Sequence, residues 1–111
     1  MNVGALKPQP THREPFNRNK ERFVPEVAGC YLATFEGTIL YVGLTDNLRR
    51  RLNEHLDNPK KTGLTKFGRA TLFHWLETVD THRVERTWLN THSYTEGVLP
   101  VLNGMSSPTF T

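Results

Sequence analysis

Two strand-like runs separated by a two-residue turn constrain the fold of this chain more than any other feature. Residues 29–35 and 38–42 are rich in apolar, β-branched and aromatic side chains, and only Glu36 and Gly37 lie between them. A short glycine-containing turn between two such runs is typical of a β-hairpin. Gly43 ends the second run. We therefore expect the core to be built on an antiparallel sheet.

An amphipathic helix is predicted directly after the hairpin. Leu48, Leu52 and Leu56 recur every four residues, which places them on one helical face. Asp46 or Asn47 is a suitable N-cap for this helix. These signals predict a helix over residues 47–56.

A third strand is predicted over residues 69–77, and a second helix follows Asp80 and runs to about residue 92. The resulting order is β-β-α-β-α. This order predicts the α/β class, more narrowly an α+β sandwich in which a small, central, three-stranded antiparallel sheet is flanked by helices.

Length and cysteine content limit what the chain can be. Its 111 residues and 12.8 kDa suffice for a single domain. No apolar run approaches the ~18 residues of a membrane helix, so we expect no membrane partner, and residues 1–10 lack the apolar segment of a secretory signal. The single cysteine, Cys30, cannot form an internal disulfide, so a reducing, cytoplasmic location is expected.

Proline and basic residues dominate the first 27 residues, which hold four prolines and several lysines and arginines. This composition predicts an extended basic arm over residues 1–27, followed by a domain over residues 28–104 and a tail over residues 105–111. The arm is expected to contact DNA, a partner protein or a second copy of the chain, or to be a passive tail. The domain is expected to fold without it.

Basic residues are concentrated in one stretch, although the net charge is only +3. Seven of them fall between positions 49 and 69: Arg49, Arg50, Arg51, Lys60, Lys61, Lys66 and Arg69. Such a field is typical of proteins that bind phosphate backbones. A solvated helix face followed by a basic loop explains the same pattern.

Three residues at the edge of the predicted core carry functional groups. Arg51 and His55 share a helical face beside the leucine stripe. Glu85 falls beside Val84 and Trp88, on or next to the buried face of the second helix. A carboxylate there costs several kcal/mol unless it binds a cation or forms an ion pair with Arg51 or Arg83.

The hairpin residues resemble a known family. Gly29-Cys30-Tyr31 and Tyr41-Val42-Gly43 are similar to the paired tripeptides of the GIY-YIG nuclease superfamily. Four further positions match its pattern: Arg51 ten residues after Tyr41, His55 four residues later, Glu85 and Asn103. The resemblance covers about residues 28–104. Two departures are conservative, with Cys30 and Val42 replacing isoleucines; at Leu44 some members carry a lysine that helps to activate the second tyrosine.

The resemblance implies a metal-dependent endonuclease that hydrolyses phosphodiester bonds in DNA. It implies that Glu85 holds one Mg²⁺ or Mn²⁺ ion and that Arg51 binds the reacting phosphate. Tyr41 would take the proton of the attacking water, Tyr31 would position that water, and His55 would assist or accept the proton. Asn103 would orient Glu85 or brace the site, without touching the substrate. Six of the basic residues would bind DNA: Arg49, Arg50, Lys60, Lys61, Lys66 and Arg69.

Two other readings stay open. The chain is alternatively a nucleic-acid-binding module that keeps this fold without turnover, or a metal-independent phosphohydrolase that uses His55 and the tyrosines. Because no separate DNA-reading domain accompanies the matched region, low intrinsic sequence specificity is expected. The preferred form of DNA, whether single-stranded, duplex or branched, is not indicated by the sequence.

Overall fold

Four strands and two α-helices form the fold in a computed structural model, which describes residues 1–58 and 65–103. The strands are β1 (His12–Pro15), β2 (Gly29–Phe35), β3 (Thr38–Thr45) and β4 (Leu72–Glu77), and the helices are α1 (Leu48–Asp57) and α2 (Thr81–Glu96). Short 3-10 helices cover Val3–Ala5 and Arg18–Phe23. The mixed class with an antiparallel sheet and flanking helices is confirmed.

The sheet has four antiparallel strands in the order β1-β4-β2-β3, so the prediction of three strands is wrong. The additional strand, β1, pairs with β4 from His12 opposite Trp75 to Pro15 opposite Leu72. Its sequence, His-Arg-Glu-Pro, has no apolar alternation from which a strand is predicted. It forms at the sheet edge, where only one side needs hydrogen bonds and a proline is tolerated.

The predicted hairpin is present, and its first strand has the predicted bounds. Glu36 and Gly37 both adopt positive φ, +48° and +85°, as a tight two-residue turn between twisted strands requires. The second strand continues to Thr45, beyond the predicted end at residue 42. Ala33 pairs with Tyr41 while Thr34 pairs with Ile39, which leaves Leu40 as an extra residue in a bulge.

The two helices cover opposite faces of the sheet. Leu48 and Leu52 of α1 pack with Tyr31 in one buried cluster. Trp88 of α2 packs with Leu32 in the other. Because successive strand residues point to opposite faces, neighbours Tyr31 and Leu32 mark the two sides.

Both helices begin near their predicted positions. Asn47 caps α1, its side-chain oxygen accepting a hydrogen bond from the Arg50 backbone N–H at 3.0 Å. Helix α2 runs to Glu96, four residues beyond the predicted end, and stops at Gly97, whose left-handed φ of 79° suits glycine. In the described part of the chain, no helix has both the length and the apolar character needed to cross a bilayer.

Residues 1–24, which we call the N-terminal strap, wrap around the β1 edge of the sheet. On the α2 side, Leu6 is fully buried and the Trp88 indole N–H donates to the Pro8 carbonyl at 2.8 Å. After β1, Phe16 packs against Phe73 on the α1 side, where Val24 is fully buried. Because β1 lies within this segment, the predicted arm supplies one strand of the sheet; that the domain folds without the arm stays a prediction. The segment is also folded onto its own chain, which gives no support to a role in holding a partner.

Candidate active site

Three rings from three elements meet in the core beneath α1. The Tyr31 hydroxyl of β2 and His55 Nε2 of α1 are hydrogen-bonded at 2.7 Å in a buried position. The Tyr41 ring of β3 lies 5.9 Å from the Tyr31 ring and 5.6 Å from the His55 ring, between centroids. The structure thus brings together the three residues for which the sequence predicted proton transfer and positioning.

Gly43 makes room for this cluster. It is the cross-strand partner of Tyr31. A Cβ atom at Gly43 would lie 2.5 Å from Tyr31 Cζ and 2.6 Å from its hydroxyl oxygen. The glycine that ends the second tripeptide is therefore required by the tyrosine of the first, whose ring crosses over it.

Phe73, which lies in the predicted third strand, supports the site from below the tyrosines. Its ring stacks on Tyr31 at 5.2 Å between centroids with an interplanar angle of 23°. It belongs to β4 and pairs with Ala33, one position along the same face from Tyr31. Only knowledge of the β2–β4 register identifies it, since the two strands are about 40 residues apart.

The two tyrosines differ in how readily they ionise. Burial, and next the charge of Glu85, raise the pKa of Tyr41 to about 12, against the lowering effects of Arg51 and of a hydrogen bond from Tyr31. Burial, and next Tyr41, raise the pKa of Tyr31 well above its usual range. Tyr41 is therefore the easier of the two to deprotonate, and Tyr31 is placed to stabilise its phenolate.

Arg51 presents unused donors near these rings. Its side chain is 13 % exposed, and Nη1 pairs with Glu54 Oε1 at 2.8 Å. Nε is buried and has no hydrogen-bond partner among the described residues. The positive charge of Arg51 lowers the pKa of both tyrosine hydroxyls. A buried N–H without a partner is costly, and an incoming phosphate oxygen would satisfy it.

Glu85 approaches the tyrosines from α2. It is half-buried, and its carboxylate makes no ion pair or hydrogen bond with the described residues. The arginines considered as its partners pair elsewhere, Arg51 with Glu54 and Arg83 with Asp80. Burial raises the pKa of Glu85. The negative charge of Glu85 in turn raises the pKa of both tyrosine hydroxyls.

A divalent cation fits this position. An unpaired, partly desolvated carboxylate is stabilised by a nearby positive charge. No group of three or more His, Cys, Asp or Glu side chains suited to a metal is formed by the residues that the structure describes. A single carboxylate completed by water and substrate oxygens is a common way to hold Mg²⁺, whereas it does not suit Zn²⁺.

Asn103 braces β3. Its side-chain oxygen accepts from the Val42 backbone N–H, and its amide nitrogen donates to the Val42 carbonyl, both at 2.8 Å. β3 is an edge strand, so this amide occupies the place of a missing neighbour strand. Of the two roles considered for Asn103, the structure supports bracing of the strand between Tyr41 and Gly43 over orienting Glu85.

The residues predicted to bind DNA are placed in different ways. Arg49 donates to the carbonyls of Val24 at 2.8 Å and Arg22 at 3.2 Å and so holds the strap. Arg50 pairs with Asp46 and Glu54. It lines a groove of about 560 Å³ between the starts of the two helices, together with Leu44, Thr45, Thr81 and His82. Lys66 and Arg69 are exposed, and Lys60 and Lys61 lie outside the described residues.

Cys30 behaves as a core residue. It is buried, its thiol donates to the Thr81 carbonyl at 3.1 Å, and burial raises its pKa to about 12. A thiol in this state is a poor nucleophile, in agreement with its interpretation as a replacement for isoleucine.

This arrangement of tyrosines, arginine and glutamate on a small α/β sheet defines a class of nuclease domain. The sequence matches the family model described as the GIY-YIG catalytic domain over residues 27–96, more than half of the chain. The chain therefore belongs to the GIY-YIG family. No curated protein matches the sequence significantly.

Solved structures with the same fold come from the N-terminal GIY-YIG endonuclease domain of UvrC from Thermotoga maritima. One is a point mutant bound to its catalytic divalent cation, with 20 % identity. Another is bound to magnesium as its catalytic divalent cation, with 21 % identity. Each match has a TM-score of 0.56 and covers 78 % of this chain and 93 % of the other. These matches support the fold.

Proposed function

We propose that this protein is a metal-dependent endonuclease that hydrolyses phosphodiester bonds in DNA with little intrinsic sequence specificity. One observation carries the proposal. Tyr31 and Tyr41 lie with His55 in one buried cluster, and the charges of Arg51 in α1 and Glu85 in α2 both influence the pKa of the two tyrosine hydroxyls. A cation-binding carboxylate, a phosphate-binding guanidinium and a proton acceptor are the groups that phosphodiester hydrolysis requires.

Glu85 is the residue that would hold the metal. Mg²⁺ or Mn²⁺, one ion per site, would supply Lewis-acid stabilisation to a phosphate oxygen and to the leaving O3′. The catalytic divalent cation of the UvrC domain supports this assignment. Glu85 itself contributes the negative charge that attracts the ion, in a half-buried position where that charge is poorly screened.

The proton of the attacking water would follow a chain of hydrogen bonds. Because Tyr31 donates to Tyr41 at rest, both hydroxyls would first turn; Tyr41 would then accept the proton while passing its own to Tyr31, and Tyr31 would pass its proton to His55 Nε2, 2.7 Å away. With its pKa raised to about 12, Tyr41 is protonated at neutral pH, so it needs either this relay or a nearby cation. Imidazole accepts a proton readily near neutral pH. Leu44 cannot assist in this transfer.

Arg51 would bind the phosphate under attack. Its partly buried guanidinium keeps its charge, and its unpartnered Nε adds a directed donor. A planar fork suits the oxygens of a phosphate better than a point charge does. Arg51 would thus stabilise the additional negative charge that develops in the transition state.

Exposed basic residues would contact the DNA backbone. Lys66 and Arg69 are exposed, and Lys60 and Lys61 precede them in the sequence and remain predicted contacts. Arg50 keeps a predicted contact through its exposed side chain, whereas Arg49 serves the strap. Contacts to phosphates carry no base information, which is the basis for expecting low sequence specificity.

The proposal is tested by incubating purified protein with labelled single-stranded, duplex, nicked and branched DNA, with Mg²⁺, Mn²⁺ or EDTA. We expect internal cleavage of at least one substrate with a divalent cation and none with EDTA. Binding without cleavage under every condition would instead identify the non-catalytic module. Cleavage that survives EDTA would identify the metal-independent phosphohydrolase.

A further inference from the structure

Phe23 is an exposed aromatic ring surrounded by positive charge. It ends the Arg18–Phe23 helix of the strap and is 49 % exposed, although Val24 beside it is fully buried. The Arg22 guanidinium carbon lies 4.8 Å from the ring centroid, and Lys20 Nζ lies 5.6 Å from it. Two cations therefore lie within cation–π distance of one half-exposed ring.

The backbone that carries Phe23 is fixed by α1. Arg49 donates to the carbonyls of the residues on both sides of Phe23, Arg22 at 3.2 Å and Val24 at 2.8 Å. At the start of the same 3-10 helix, Arg18 pairs with Asp57 of α1. The ring is thus held in a set position before any ligand arrives, which reduces the entropy cost of binding.

The platform is connected to the candidate site through α1. Arg49, Asn53 and Asp57, the residues of α1 that contact the strap, recur every four positions along one side of the helix. Arg51 and His55 lie on the other side. An α-helix with its side chains is about 10–12 Å across, so a strand bound at Arg51 reaches Phe23 by crossing the outer surface of α1.

We propose that Phe23, with Arg22 and Lys20, is a stacking platform for an unpaired base of single-stranded DNA. The inference deepens the proposed function, on which it rests, by naming single-stranded segments as the preferred substrate class. An exposed aromatic ring beside cations is the arrangement by which proteins bind single strands, with bases on the ring and phosphates on the cations. In a duplex the bases are already stacked and paired, so no unpaired base is available to stack on the Phe23 ring.

The test measures binding in EDTA, where the proposed chemistry is off, so that its result is independent of cleavage. Fluorescence anisotropy with a labelled single strand, and with the duplex that it forms with its complement, is compared for wild type, Phe23→Ala, Phe23→Tyr and Tyr94→Ala. Tyr94 is the matched control, because it is an aromatic ring, 93 % exposed, on α2 at the opposite face of the sheet.

We expect Phe23→Ala to weaken single-strand binding by about 5- to 150-fold, as the loss of one stacked base does, and to change duplex binding less than twofold. Phe23→Tyr and Tyr94→Ala should bind like wild type. The proposal is overturned if Phe23→Ala retains single-strand affinity, if it weakens both forms equally, if Phe23→Tyr loses as much, or if wild type prefers the duplex. Absence of cleavage on every substrate would refute the endonuclease while leaving this binding result intact.

Discussion

Several single residues in this protein are explained by a contact with a residue on another element. Gly43 is free of a side chain because the Tyr31 ring lies over it. Arg51 and Arg49, two positions apart on α1, have unrelated roles, since one reaches the tyrosine pair and the other holds the strap. The side of the helix on which a side chain falls therefore decides whether it faces the tyrosine pair or the strap.

Arg51→Lys should lower the single-turnover cleavage rate by about 10²- to 10³-fold, the usual effect of removing one transition-state donor. Lysine keeps the positive charge but has no Nε donor and no planar fork. The rate is measured at saturating enzyme, with Arg50→Lys as the matched control on the same helix. A rate for Arg51→Lys as high as that of Arg50→Lys would show that a positive charge alone suffices at position 51.

At the scale of elements, the parts with strong local patterns were predictable and the parts held by distant contacts were not. The alternating runs of the hairpin predict strands, and the leucine stripe predicts α1. Burial of one face of a strand or of a helix requires apolar residues at these spacings. β1 has no such pattern and exists only through pairing with β4, 60 residues later. The contact of Arg49 with the strap could not be predicted for the same reason, because it depends on where the strap lies.

The candidate site shows the same division. Glu85 stands out in sequence as a carboxylate among apolar residues, and the structure leaves it unpaired within the described chain. The tyrosines, Arg51 and His55 were predicted from family resemblance and from their spacing. The bracing of β3 by Asn103 needed the structure, since the amide acts on the backbone of an edge strand 61 positions away.

The strap is a structural element, so a variant that loosens it should lower stability. Leu6→Ala removes a fully buried side chain from the cluster around Trp88, and we expect it to lower the free energy of unfolding by about 2–5 kcal/mol. Urea denaturation followed by circular dichroism measures the change. Val79→Ala, at a position 95 % exposed, is the control and should cost less than about 0.5 kcal/mol. A Leu6→Ala protein as stable as this control would show that the strap does not pack in solution.

At the scale of the whole molecule, one sheet separates two cores, and buried polar groups make its stability depend on pH. His74 of β4 is buried, and Nε2 is hydrogen-bonded to Thr34 Oγ1 at 3.0 Å. Burial, and next the charge of Arg13, lower the pKa of His74 in the folded state. The unfolded chain therefore binds a proton more readily than the folded one as pH falls below about 6.5.

Stability should accordingly fall as pH is lowered from 7 through this region, and His74→Gln should weaken the dependence. Glutamine keeps a hydrogen-bonding group for Thr34 but does not titrate. Free energies of unfolding for the two proteins are compared at pH 7 and at pH 5. An identical loss in both would assign the pH dependence to other groups.

In the proposed function, α1 and α2 act on one tyrosine pair from opposite faces of the sheet, and Glu85 is the metal-holding carboxylate. The most direct measurement is the single-turnover cleavage rate of Glu85→Gln as a function of Mg²⁺ concentration, with Glu77→Gln at an exposed position of β4 as control. We predict a loss of about 10³-fold or more for Glu85→Gln, corresponding to several kcal/mol of transition-state stabilisation, with DNA binding in EDTA unchanged. A Glu85→Gln protein that cleaves DNA at the wild-type rate and with the same Mg²⁺ dependence would show that Glu85 does not hold the catalytic metal.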